Sequence, residues 1–401
     1  MNSLLVVRPP RTERLLDIGP TLARTLPCDA WQVEVCYVDA VDGQPFGRLA
    51  RAVRHAAAAA IPGRPVVLVD GTFADQRRWL RTLVTGGLRP GVRVVVRAPI
   101  ARVPLHPWHA DLFALADLVV TESAFGARAV RECCRAAGAV RASVAVVPPM
   151  VPATSAGGTG PEPPIAIACA LEDKAAAFRA LQIFHVFADG LYWECCACRR
   201  VTPYAVDRGT RPVTACGPCG STLGRAGRPR PDVRLSLVGE PTTDGDSGAL
   251  GAWTLATAVH ALGLDERVQI RRPAVDAGQA WRPLGRATIH LAPHGLANIE
   301  PAVLASCAIG IPTLVTRFGA AAEVLAGVAR LVPPAVTLDV PAGHREAIMD
   351  VGHAVRHLMD LTDDPAARRV EGTRAREGAR AFTPSAVMDR WHAELGALAV
   401  A

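Results

Sequence analysis

Short apolar runs rich in Val, Leu and Ile alternate with Ala-rich helical stretches along almost the whole chain. Few folds tolerate that rhythm. A strand, a helix and another strand make the unit of a parallel sheet covered by helices on both faces. Strands buried on both faces read as continuous apolar runs. "SLLVVR", "WQVEVCYVD", "RPVVLVDG", "VRVVVRAP", "DLVVTES" and "ASVAVVPP" are such runs within residues 1–147. Helical stretches such as "FGRLARAVRHAAAAA" and "AFGARAVRECCRAAG" lie between them. Residues 148–164, "PPMVPATSAGGTGPEPP", have no period and the composition of a linker. The rhythm resumes over residues 165–382 with "IAIACAL", "DKAAAFRALQIFHVFADG", "VRLSLVGE", "RVQIRRP" and "ATIHLAP". The expectation is an α/β fold of two Rossmann-like, doubly wound domains, the second interrupted by residues 191–231. Residues 383–401 read as a closing helix. Thr383 suits its N-cap and Pro384 its first turn, and Val387, Met388, Trp391 and Leu395 share one face.

Half of the 401 residues are apolar, so large cores can form. A formal charge of +7 on this length favours anionic ligands only mildly. No apolar run reaches the roughly 18 residues of a membrane span. The start, "MNSLLVVRPPRTE", has too short an apolar core for a secretory signal. These features predict a cytoplasmic chain without a transmembrane segment. There, eleven cysteines point to metal binding or buried thiols in place of disulfides. No P-loop, no clean G-x-G-x-x-G and no Ser/His/Asp constellation occurs.

The interruption carries Cys195-x2-Cys198 and Cys216-x2-Cys219, with seventeen residues between the pairs. Each pair makes a tight knuckle that aims two thiolates at one ion, with Gly217 and Gly220 supplying permissive backbone. Four thiolates suit a tetrahedral structural Zn2+ and leave no open position for substrate or water. A rubredoxin-type iron and unmetallated thiols are the alternatives. Cys196 fits the spacing less well. The segment is also basic, with Arg199, Arg200, Arg208, Arg211, Arg225, Arg228, Arg230 and Arg234. It reads either as a solvated ribbon or as a module that docks an acceptor, an anionic polymer or a protein partner.

The stretch Ile289–Val315, "IHLAPHGLANIEPAVLASCAIGIPTLV", reads as strand, Gly-containing loop, helix, Gly-x-Pro break and strand. Such a loop lies at the carboxyl end of a parallel strand and opens onto a helix N-terminus. Open α/β sheets bind ligands there, and free N–H groups favour anions. The second half resembles glycosyltransferase family 4, the retaining, nucleotide-sugar-dependent group, and the two-domain plan resembles the GT-B fold. The resemblance is carried in order by "CALEDKAAAFRAL", "VRLSLVGE", "HLAPHGLANIEPAVLASCAIGIPTLVTRFGAAAEVL" and "ARLVPP". It covers residues 165–395 apart from the insertion, while the first half matches by architecture only.

The resemblance implies that Lys174 holds the donor diphosphate, although an exposed helix lysine would look the same. It sets Gly239 and Glu240 at a strand end beside the donor, and His294, Gly295, Asn298 and Ile299 in the donor-sugar loop. Gly310 and Pro312 fall on the structural break, and Glu323 on the acid after the family's paired glycines. The family's two glutamates, however, fall on Ala297 and Ala305. Glu300, three residues beyond the first of these, is the candidate to reach the sugar hydroxyls, or else an acid favoured by the helix dipole. Lys174 and Glu300 are therefore the catalytic candidates. Arg97, His106 and His109 are candidates on the acceptor side.

Three functional readings follow, two of them ahead of the third. One is a glycosyltransferase moving a sugar from a nucleotide-sugar donor to an unidentified acceptor, with structural zinc. The other is a catalytically degenerate GT-B-like scaffold that uses the ribbon to dock a partner. Nucleic-acid binding through the basic segment ranks third.

Overall fold

The structure is a computed structural model and describes residues 2–8, 21–22, 25–26, 30–38, 45–60, 64–139, 143–151, 165–170, 174–204, 215–238, 254–271, 284–341 and 343–400. Two six-stranded parallel sheets organise it. The first is built from β1 (Asn2–Arg8), β2 (Trp31–Tyr37), β3 (Val66–Val69), β4 (Arg93–Arg97), β5 (Leu118–Thr121) and β6 (Ser143–Val146). Their order is β2-β1-β3-β4-β5-β6. The central strands β1, β3, β4 and β5 are buried along most of their length, as their unbroken apolar runs require.

Pairing register decides what each face meets. Val6 lies beside Val35 and Leu68, and Leu68 beside Val95. This face packs with Val387, Met388, Trp391 and Leu395 from the last helix, Pro384–Val400. Leu5, Val7, Val67 and Val94 point the other way, onto helices Pro45–Ala59, Phe73–Thr85 and Ala124–Ala136. The closing helix thus has the apolar face its sequence predicts, and it completes the core of the first sheet.

The second sheet comprises β7 (Ala166–Ala170), β11 (Arg234–Val238), β12 (Val268–Arg271), β13 (Ile289–Ala292), β14 (Thr313–Thr316) and β15 (Arg330–Val332). The order β12-β11-β7-β13-β14-β15 reverses direction between β7 and β13. That reversal makes a crevice at the carboxyl ends of those two strands. One face, with Ile167, Leu235 and Leu291, packs on helices Lys174–Ala188 and Val351–Asp363. The other packs on helix Pro301–Ala308.

Between β7 and β11 the chain forms a small antiparallel sheet, β8 (Tyr192–Cys195), β9 (Val201–Pro203) and β10 (Gly224–Ala226), in the order β10-β8-β9. It is seated on the second sheet's helices. Val201 belongs to the apolar cluster beneath, and a side chain at Gly352 would collide with the Val201 carbonyl. A hairpin of β16 (Pro334–Asp339) and β17 (Arg345–Met349) precedes helix Val351–Asp363. No described helix is long and apolar enough to cross a membrane.

Candidate functional site

The loop after β13 lies where the sequence places it, at the carboxyl end of a strand flanking the reversal point. His294 and Glu300 close it. The His294 imidazole and the Glu300 carboxyl are in contact, and each side chain is only 7% exposed. Glu300 is the N-cap residue of helix Pro301–Ala308, with Pro301 in the first turn, so a carboxylate sits at the positive end of the helix. Beneath them His290, on β13, is fully buried. Burial first, and His294 second, pushes its imidazole down to about 3, so it is neutral at pH 7.

Gly295 is required by close packing. Its carbonyl accepts from the Ala347 N–H at 2.9 Å, and a Cβ there would strike the Ala347 backbone. Asn298 is partly exposed, whereas Ile299 is buried in the cluster with Val303, Leu304 and Val315. Gly310 has φ +83° and leads to Pro312, as a Gly-x-Pro break demands.

Ala297 and Ala305, where the sequence resemblance led glutamates to be expected, are part of the packing. Ala297 is 0% and Ala305 1% exposed. Ala297 is covered by Gly319, whose φ of +57° brings its backbone against Ala297. The Ala320 N–H donates to the Ala297 carbonyl at 2.7 Å, and the Ala297 N–H donates to the Ala101 carbonyl at 2.8 Å. A Cβ on Gly319 would collide with Ala297.

Glu323 stands on helix Gly319–Val324. Its carboxylate accepts from the N–H groups of Ala124 and Phe125, at 2.7 and 2.9 Å, at the start of helix Ala124–Ala136 of the first sheet. Arg128 stands 3.7 Å away. Helix Lys174–Ala188 begins at Lys174, directly after the β7 end of the crevice. Gly239 and Glu240 lie outside the described residues, as do Arg208 and Arg211.

On the facing edge, Arg97 ends β4 and bonds Asp70 at 3.1 Å and Glu122 at 2.8 Å. Burial alone would lower its pKa, but the two carboxylates raise it. Arg97 is thus a buried cation already matched by two acids. The His109 Nδ1–H donates to the His106 carbonyl at 2.8 Å, and the ring stacks on Trp108. Burial holds His109 below its ordinary value. The segment that leads to His106 touches the second sheet's side, where the Arg345 N–H donates to the Val103 carbonyl at 2.7 Å.

The four predicted thiols converge: the Sγ atoms of Cys195, Cys198, Cys216 and Cys219 all lie within 4.8 Å of one another. Cys195–Cys219 and Cys198–Cys216 are 3.6 and 3.5 Å apart. Four sulfurs at about 2.3 Å from one tetrahedral ion would be about 3.8 Å apart, so the donor set fits such an ion. The Cys198 N–H, among other bonds, draws the Cys195 thiol down to about 6. The Cys219 N–H pulls Cys216 down, but burial and the Cys198 and Cys219 thiols outweigh it and push Cys216 up to about 12. Cys196 is exposed and outside the cluster.

Among the described basic residues of this segment, Arg199, Arg225 and Arg230 have acidic partners. Glu194 is 3% exposed beside Cys195 and binds Arg225 at 2.7 Å, Arg356 at 2.5 Å and Arg199 at 3.4 Å. Arg230 pairs with Asp363 at 2.8 Å, which holds the Asp363 carboxyl below its ordinary value. Tyr192 and Trp193 are buried. The partners of Arg199, Arg225 and Arg230 are supplied from within the small sheet and from the helix beyond it. Glu194 and the acids of helix Val351–Asp363 meet them across the fold.

No protein-family model matches the sequence, and no curated protein does. Solved structures do resemble the fold. A sucrose-phosphate synthase from Thermosynechococcus elongatus aligns with TM-score 0.60 at 12% identity, covering 99% of this chain and 100% of that one. An α,α-trehalose 6-phosphate synthase from Burkholderia multivorans aligns with TM-score 0.59 at 12% identity, covering 100% and 97%. A lipopolysaccharide outer core galactosyltransferase aligns with TM-score 0.54 at 10% identity, covering 99% of each chain. At such identities the likeness is one of fold: the chain has the GT-B architecture.

Proposed function

We propose that the chain is a glycosyltransferase that transfers a sugar from a nucleotide-sugar donor to an acceptor with retention of configuration. The observation that carries this reading is the loop His294–Glu300, at the carboxyl end of β13 beside the reversal point of a GT-B sheet. In this reading Lys174 and the helix N-terminus stabilise the leaving diphosphate, where charge develops in the transition state. Glu300, oriented by His294, receives donor hydroxyls, and Asn298, Gly239 and Glu240 complete the donor side. The four-cysteine cluster holds a structural zinc, and the reaction takes place in the cytoplasm.

The burial of Ala297 under Gly319 and the engagement of Glu323 by the first sheet's helix favour a second reading. It is a GT-B scaffold that has lost turnover and acts through binding.

A thermal-shift series with UDP, GDP and ADP, with and without attached sugars, tests the proposal. One nucleotide should raise the melting temperature, and Lys174→Ala should remove the rise. No shift with any nucleotide would refute the donor reading. A shift without sugar hydrolysis or transfer would support the scaffold.

A further inference from the structure

We infer that Glu323 is a latch that holds the two sheets together across the cleft and so sets how far they open. The helix Ala124–Ala136 has its first N–H groups satisfied from two sources. The Ser123 hydroxyl accepts from Gly126 at 3.0 Å, as an ordinary local cap. Ala124 and Phe125 donate instead to a carboxylate 199 and 198 residues away in sequence, on the other side of the cleft. A carboxylate receiving two N–H groups at a helix N-terminus gains charge-assisted hydrogen bonds and the helix dipole together. Arg128, on the next turn, adds a favourable charge.

The latch is continuous with the loop after β13. Glu323 stands on helix Gly319–Val324. The second residue of that helix, Ala320, donates to Ala297, and Ala297 donates to Ala101 of the first sheet's side. Arg345 to Val103 adds a parallel link. A closed circuit of hydrogen bonds therefore runs from the first sheet through Ala297, Ala320 and Glu323 back to the first sheet. Among these links the Ala297, Ala320 and Arg345 bonds are backbone to backbone, while those of Glu323 depend on its charge. Domain opening must break the Glu323 bonds and the Ala297 and Arg345 links in concert.

The inference rests on this geometry and not on donor binding, so the test uses the ligand-free full chain. Hydrogen exchange is followed in the native protein, Glu323→Ala, Glu323→Gln and the local-cap control Ser123→Ala. Glu323→Ala should speed exchange at Ala124 and Phe125 by about tenfold or more, the loss expected for hydrogen bonds to a charged group. It should also speed exchange at Ala297 and Arg345, and small-angle scattering should show a larger radius of gyration. Glu323→Gln keeps an acceptor without the charge and should fall between. It also gives the reading if Glu323→Ala fails to fold. Ser123→Ala should act on Gly126 alone. If either Glu323 variant leaves Ala297, Arg345 and the radius unchanged, Glu323 is only a local cap and the latch is refuted.

Discussion

Replacing Trp391 by alanine tests the architecture at its most telling point. The residue lies near the end of the chain, yet its side chain is 2% exposed among Leu4, Val6, Leu68, Val95 and Val120 of the first sheet. A buried tryptophan covers about 150–250 Å2, and most of that area is lost at about 25 cal/mol per Å2. Since an unfolded chain already hides part of this surface, area alone overstates the effect, while the cavity left behind adds to it. The expected destabilisation is about 3–5 kcal/mol, the range of Trp→Ala changes in packed cores. Urea denaturation read by site-resolved hydrogen exchange measures both size and place. Leu4, Val6 and Leu68 should lose protection, while Leu235 and Leu291 in the second sheet keep theirs. A loss below about 1 kcal/mol, or one confined to the second sheet, would refute the packing of this helix on the first core.

Elemental analysis of protein purified without chelator should find one zinc per chain, and Cys216→Ser, which removes a buried ligand, should abolish it and lower the melting temperature. A metal-free native protein of unchanged stability would refute the ribbon assignment. His290 has a folded pKa of about 3 against an ordinary 6.5, so the unfolded chain takes up a proton that the folded chain refuses. Its contribution to stability is complete above about pH 6.5 and is lost as pH falls toward 3, at up to about 1.4 kcal/mol per pH unit. His290→Gln should flatten that limb of the stability profile, and an unaltered slope would show that the buried imidazole does not govern it.

The parallel sheets were legible because strands buried on both faces cannot hide their apolar runs, and the last helix announced itself by Val387, Met388, Trp391 and Leu395. The four thiols were legible because the knuckle geometry is local to each C-x2-C pair. Long-range pairing was not. Glu194 meets Arg356 162 residues away, and Glu323 meets Ala124 199 residues away. Nothing in local composition distinguishes those acids from solvated ones. The alanines at 297 and 305 were visible as departures from a family pattern. That Gly319 folds over Ala297 follows from a backbone angle, and that angle depends on the surrounding contacts.

The return of helix Pro384–Val400 to the first sheet also orders the events of synthesis. A growing chain can pair the strands of the first sheet early, but part of one face, beyond what Leu22, Leu26 and Met150 cover, waits for the last helix. Val387, Met388, Trp391 and Leu395 are made only after the whole second sheet has been translated. Domains that fold one after another during synthesis ordinarily seal the first before the second appears. Here the first-made half is the last to be sealed, and through that interval its apolar face is available to chaperones or to the wrong neighbour.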